Sequence, residues 1–99
     1  MRIYNVTMNT PLGDRKGTLG ISVTGNKLDG FLQILKSLNP IAGIIDNNGN
    51  CNFNGHIDTA TQTLHFKADG NISETSVELI LYADGCQYQM NGRTEKEEI

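Results

Sequence analysis

Apolar and polar residues alternate one by one through most of this 99-residue sequence, and that pattern limits the folds that the chain can adopt. A period of two places successive side chains on opposite faces of a β-strand. The clearest case is the segment from residue 50 to 58, where Cys51, Phe53 and Ile57 alternate with polar residues. The alternation predicts an all-β fold whose strands each keep one face in water.

Pairs of turn-forming residues separate the alternating segments. The sequence holds 11 glycines and 11 asparagines but only two prolines, a composition rich in turns. Gly, Asn and Asp pairs between short strands are typical of tight hairpins, which join each strand to the next in sequence. We therefore predict antiparallel strands with turns at Gly13-Asp14, Gly25-Asn26, Asn48-Gly49, residues 73–76 and Asp84-Gly85, and a strand that begins after Pro40.

A five-residue unit with glycine at its centre occurs three times, in residues 28–32, 41–45 and 53–57. The spacing of these units is that of one strand plus one turn, which favours an up-and-down meander of about eight strands. Such a meander loses its open edges when it closes on itself. The predicted fold is a small closed antiparallel β-barrel formed by residues 1–92, and a two-layer β-sandwich is the alternative. Residues 93–99 are predicted to be a charged C-terminal tail.

Residues 28–38 fit two kinds of secondary structure. Their large apolar residues recur at intervals of three and four, which is the spacing of an amphipathic helix. The same segment also places Leu28 and Ile34 on one face of a strand. Gly30 would weaken the first helical turn, so we favour the strand. A barrel with a short helix near residues 29–38 remains the alternative.

Side chains at every second position of a strand share one face. The odd or even position of each residue in its strand, which we call its parity, therefore predicts which residues face the inside of the barrel. Six glycines are in phase with these residues, where they would let the strands coil or leave space inside: Gly17, Gly30, Gly43, Gly55, Gly70 and Gly92. The predicted inward side chains are Tyr4, Val6, Met8, Leu19, Ile21, Val23, Leu28, Leu32, Ile34, Ile41, Ile45, Cys51, Phe53, Ile57, Leu64, Phe66, Ala68, Val77, Leu79, Leu81, Cys86, Tyr88 and Met90.

Several short motifs resemble those of small uncharacterised bacterial β-barrel proteins. They are Thr10-Pro11-Leu12-Gly13, the Gly-x-Leu-x-Ile of residues 17–21 and the closing Tyr88-x-Met90-x-Gly92. In overall look the sequence is similar to the calycin-like barrels, which include lipocalins, fatty-acid-binding proteins and avidins. The resemblance covers about residues 2–92 and implies a barrel more than it implies any particular ligand.

The predicted interior holds no Asp, Glu, His, Lys or Arg, so we expect no enzymatic activity and no cofactor. An eight-stranded barrel is either filled by side chains or wide enough for one small ligand. A small apolar molecule is therefore the expected partner, with tyrosine hydroxyls as the polar groups of the site. The candidate ligand-binding residues are Tyr4, Val6, Ile21, Phe53, Phe66, Leu79, Tyr88 and Met90.

Some apolar residues have the opposite parity and are expected on the outside of the barrel. A patch of such residues is typical of a contact surface, and a homodimer is its simplest closed form. The alternative function is therefore an oligomeric interaction or scaffold module with a filled core. The candidate interface residues are Phe31, Leu35, Ile44, Ile80 and Tyr82.

The net charge of −3, with scattered basic residues, makes nucleic acid an unexpected partner. The sequence shows neither a signal peptide nor a long apolar run, so we expect a cytoplasmic location and no membrane partner. In that compartment Cys51 and Cys86 are expected to be reduced and buried.

His56 is predicted to lie opposite His65 on the outer surface as a solvated pair, near Asp58, and no metal site is expected.

Overall fold

Eight consecutive antiparallel strands make up the fold in a computed structural model, which describes residues 1–94. Each strand pairs with the next one in sequence, and β8 pairs with β1 to close the barrel. This confirms the predicted barrel, whereas the sandwich and the barrel with a short helix are wrong. The strands are β1 (Arg2–Thr10), β2 (Gly13–Thr24), β3 (Lys27–Ile34), β4 (Ser37–Ile45), β5 (Asn50–Asp58), β6 (Thr63–Ile72), β7 (Ser76–Ala83) and β8 (Cys86–Thr94).

Residues 28–38 form a hairpin whose turn the sequence does not signal. Leu35 and Lys36 both adopt the left-handed conformation, with φ of 55° and 65°, although glycine or asparagine is usual there. The next strand therefore starts at Ser37, and the predicted start after Pro40 is wrong. Proline has no backbone N–H to donate to a neighbouring strand. Pro40 is tolerated inside β4 because the pairing of β4 with β5, which uses such N–H groups, covers only residues 42–45.

Two further boundaries differ from the prediction. The first turn lies at Pro11-Leu12, and Gly13 already belongs to β2. Thr10 builds this turn, because its hydroxyl donates to the Gly13 carbonyl at 2.6 Å and accepts from the Leu12 amide at 3.2 Å. At the other end of the chain β8 continues to Thr94, two residues into the predicted tail, and the rest of that tail lies outside the described residues.

The two ends of the barrel carry different connections. The turns β1–β2, β3–β4, β5–β6 and β7–β8 lie together at one end, which we call the open end. The turns β2–β3, β4–β5 and β6–β7 lie at the other, which we call the closed end, together with Arg2 and Thr94. At the closed end the Tyr4 hydroxyl donates a 2.6 Å hydrogen bond to the Ser73 carbonyl. Tyr4 thereby ties β1 to the turn between β6 and β7.

The interior is filled by the side chains that alternation selects. Eighteen of the 23 predicted inward residues are buried, and Ile45, Leu64 and Tyr88 are half-buried. The prediction that Val23 and Cys86 lie inside is wrong, because each lies within two residues of a turn at an end of the barrel, where an inward-pointing side chain extends past the core. The buried side chains missing from the predicted inward set are Ser37, Asn39, Ile72 and Ala83, of which Ile72 and Ala83 continue the inward alternation of β6 and β7.

The six predicted inward glycines are half-buried, and at all of them except Gly55 an added Cβ atom would collide with a backbone oxygen of a neighbouring strand. Gly70 stands opposite both Cys51 and Leu79. A Cβ atom at Gly70 would collide with the Glu78 carbonyl oxygen and lie 2.8 Å from the Leu79 Cα. The missing side chains therefore allow the close strand contacts of a small, strongly curved barrel.

No helix long and apolar enough to cross a membrane occurs within residues 1–94.

Candidate functional site

A cavity of about 400 Å³ opens to solvent at the open end of the barrel. This volume lies toward the lower limit of the ~300–1,000 Å³ that small-molecule sites occupy. Most of its lining is apolar, which is typical of a site for an apolar molecule. The lining residues are Met8, Thr10, Pro11, Leu12, Arg15, Leu35, Ile57, Leu64, Phe66, Leu81, Ala83 and Tyr88.

The cavity occupies the part of the barrel that the large core side chains do not reach. Phe53 and Phe66 meet edge to face, with ring centroids 6.3 Å apart. Phe66 lines the cavity, whereas Phe53 belongs to the packed core beneath it. Met8 and Leu81 are buried residues that also line the cavity. The core thus ends in an apolar floor, above which the strands enclose free space.

Apolar side chains also surround the mouth of this cavity. Leu12, at the β1–β2 turn, is 84% exposed, and Leu35, at the β3–β4 turn, is 39% exposed. Both line the cavity together with Pro11. Exposed apolar side chains that are grouped around a cavity, rather than scattered singly, are typical of a contact surface.

Two ionisable side chains, Arg15 and Tyr88, line this apolar space. Arg15 stands opposite Met8 in the pairing of β1 with β2, and it shares the parity of the inward-facing Leu19. Its side chain is half-buried and lines the cavity. Tyr88 lies beside the Cys86 thiol, and hydrogen bonding to that thiol raises the pKa of the Tyr88 phenol. The site therefore offers the Arg15 guanidinium and the Tyr88 hydroxyl as hydrogen-bond donors.

The structure divides the predicted ligand-binding residues into two groups. Phe66 and Tyr88 line the cavity. The remaining six pack in the core, at 3% exposure or less, and do not line it: Tyr4, Val6, Ile21, Phe53, Leu79 and Met90. Tyr4 and Tyr88, the two expected hydroxyl donors, lie at opposite ends of the barrel.

The sequence does not predict that Arg15, Leu12 and Leu35 line the cavity. The predicted turn at Gly13-Asp14 lies directly before Arg15, so the alternation does not assign Arg15 to either face of the sheet. A tight turn at Pro11-Leu12 pairs Met8 with Arg15, so the parity of β1 would have assigned Arg15 to the interior. Leu12 and Leu35 belong to turns, where alternation carries no information about direction.

The predicted interface residues do not form one patch. Phe31 and Ile44 lie on β3 and β4, whereas Ile80 and Tyr82 lie on β7, four strands away around the barrel from β3. Leu35 belongs to the rim of the cavity. Phe31 and Ile80 are half-buried, and a side chain at Gly20 would meet the Phe31 ring, which covers that glycine.

A different apolar surface runs along the outside of β4. Its four outward positions, Leu38, Pro40, Ala42 and Ile44, are all exposed and all apolar. Leu38 is 61% exposed and Ile44 is 56% exposed. We call these four residues the β4 stripe, and it differs from the polar outer faces that alternation gives the neighbouring strands.

The structure confirms that His56 stands opposite His65 in the pairing of β5 with β6. Their ring centroids are 5.8 Å apart and the rings are tilted by 48°. Among residues 1–94 no group of three or more His, Cys, Asp or Glu side chains is arranged to hold a metal ion.

The fold and the cavity together define a closed, eight-stranded antiparallel β-barrel with an apolar pocket at one end. The chain matches no protein-family model, no curated protein and no solved structure.

Proposed function

We propose that this barrel binds a small apolar molecule in the cavity at its open end and catalyses no reaction. The observation that carries this proposal is the apolar cavity of about 400 Å³ above a packed core. Arg15 and Tyr88 are the ionisable residues of its lining. The lining that residues 1–94 form holds no Asp, Glu, His or Lys, the side chains that most often act as general acids or bases. A likeness to calycin-like barrels and a cytoplasmic location belong to the same proposal.

The two cysteines provide an internal test of binding at this site. Cys86 is exposed and adjoins Tyr88 at the mouth, whereas Cys51 is buried. Burial raises the pKa of the Cys51 thiol to about 11. At pH 8 only about 0.1% of such a thiol is ionised, so it alkylates slowly whether or not the cavity is filled.

We expect the neutral, polarity-sensitive dye Nile red to bind one molecule per barrel and to shield Cys86. With about 90% of the sites occupied, alkylation of Cys86 by iodoacetamide should slow about tenfold. Alkylation of Cys51 should not change, and peptide mass spectrometry measures both rates in the same sample. Unchanged alkylation of Cys86 at saturating dye, or no dye binding at all, would contradict a binding site at the open end.

A second candidate function, an interaction module that forms a homodimer, is favoured by the β4 stripe. Apolar side chains in a row on an outer face gain free energy when a second copy covers them. We expect Leu38→Lys to convert a dimer to a monomer in light scattering. Tyr82→Lys is the matched control, because Tyr82 is also an exposed apolar residue but lies on β7. A wild-type chain that stays monomeric would exclude this function.

A further inference from the structure

Building on the proposed apolar site, we infer that its ligand is a small amphiphilic anion, whose charged group pairs with Arg15 while its apolar part occupies the cavity. The inference depends on the position of one charge. Arg15 is the cation among the cavity-lining residues, and no Asp or Glu is among them. A guanidinium recognises carboxylate and sulfonate groups through paired N–H donors.

The surroundings of Arg15 explain why an anion would bind there. Its side chain is half-buried among apolar residues and therefore has less water around it than a surface arginine. An ion pair in such a setting is less screened than one in bulk water. The neighbouring carboxylate, Asp14, is exposed and hydrogen-bonded to Asn9 at 2.8 Å, so it is engaged on the outer side of the β1–β2 hairpin.

Tyr88 adds a second donor to the same mouth. It lines the cavity, and its phenol hydroxyl can donate a hydrogen bond to an anionic oxygen. The apolar floor formed by Met8, Phe66 and Leu81 lies deeper in the cavity. The polar group of a ligand would therefore stay near the mouth while its apolar part enters first.

The test compares two probes that share an eight-carbon chain, octanoate and 1-octanol, in displacing Nile red from the intact protein. Arg15→Gln removes the positive charge from the cavity lining. Lys16→Gln removes the same charge from the next residue, which is exposed and has the opposite parity in β2. We expect wild type and Lys16→Gln to bind octanoate about tenfold more tightly than octanol, and Arg15→Gln to lose that preference.

The outcomes separate the inference from the function on which it rests. If Nile red and octanol bind but Arg15→Gln binds octanoate as tightly as wild type, the inferred anion site is wrong and the apolar site stands. Equal affinities of the wild type for the two probes would likewise overturn the anion site alone. If none of the three molecules binds, the proposed function fails and the inference fails with it. Raising the salt concentration should weaken octanoate binding and leave octanol binding unchanged.

Discussion

Gly70→Ala should lower the free energy of unfolding by about 3 kcal/mol or more, since overpacking a tight site typically costs ~1–3 kcal/mol even where side chains can yield. At Gly70 the added methyl group meets backbone atoms, the Glu78 carbonyl oxygen and, at 2.8 Å, the Leu79 Cα. Relief requires β6 and β7 to move apart, and their pairing is part of the ring that closes the barrel. Urea or thermal unfolding followed by circular dichroism measures the loss, which corresponds to roughly 15 °C or more in Tm.

Two further variants, one on β5 and one on β6, show whether contact with the backbone causes the loss of stability in Gly70→Ala. In Gly55→Ala the new methyl group would lie 2.8 Å from the Phe66 Cζ and 2.9 Å from the Ile41 Cγ2, side-chain atoms that can shift. We expect a smaller cost there, about 1 kcal/mol. Asp69→Ala changes an exposed residue next to Gly70 and should stay within about 0.5 kcal/mol of wild type. A Gly70→Ala variant as stable as Asp69→Ala would contradict the view that glycines permit the close strand contacts.

Most of the barrel could be predicted from alternation because a closed antiparallel meander needs little else. Parity assigns a face to every residue of a strand, and turn pairs such as Gly25-Asn26 and Asp84-Gly85 mark where the direction reverses. Both of these pairs form the turns in the structure. The turn at Leu35-Lys36 could not be found in this way, because its two residues rarely adopt positive φ and tertiary pairing holds them there.

The candidate site was harder to predict than the fold. Parity separates inside from outside but does not tell a packed interior from an empty one, so Leu79 and Leu81 look alike in the sequence. Only the first belongs entirely to the core, while the second also faces the cavity. The rim depends on turns, for which alternation gives no direction, and the inward position of Arg15 follows only once the turn before it is placed.

Leu79 and Leu81 are a matched pair for the difference between the two halves of the barrel. They lie two residues apart on β7, point inward, and are 1% and 2% exposed. Replacing a buried leucine with alanine costs ~2–5 kcal/mol, and the cost grows with the volume of the cavity left behind. Leu79→Ala leaves an enclosed void in the packed core, so we expect about 4 kcal/mol. Leu81→Ala only enlarges a cavity that already opens to water, so we expect about 2–3 kcal/mol.

Measuring Nile red affinity and unfolding free energy for these two variants therefore tests whether the barrel is packed at one end and binds ligand at the other. The predicted result is that Leu79→Ala is the less stable variant and binds dye as wild type does. Leu81→Ala should be the more stable of the two and should change the dye affinity by several-fold, since it alters the wall of the site. Equal stabilities with unchanged dye affinity in Leu81→Ala, or a dye affinity that responds to Leu79→Ala instead, would contradict this division of the barrel.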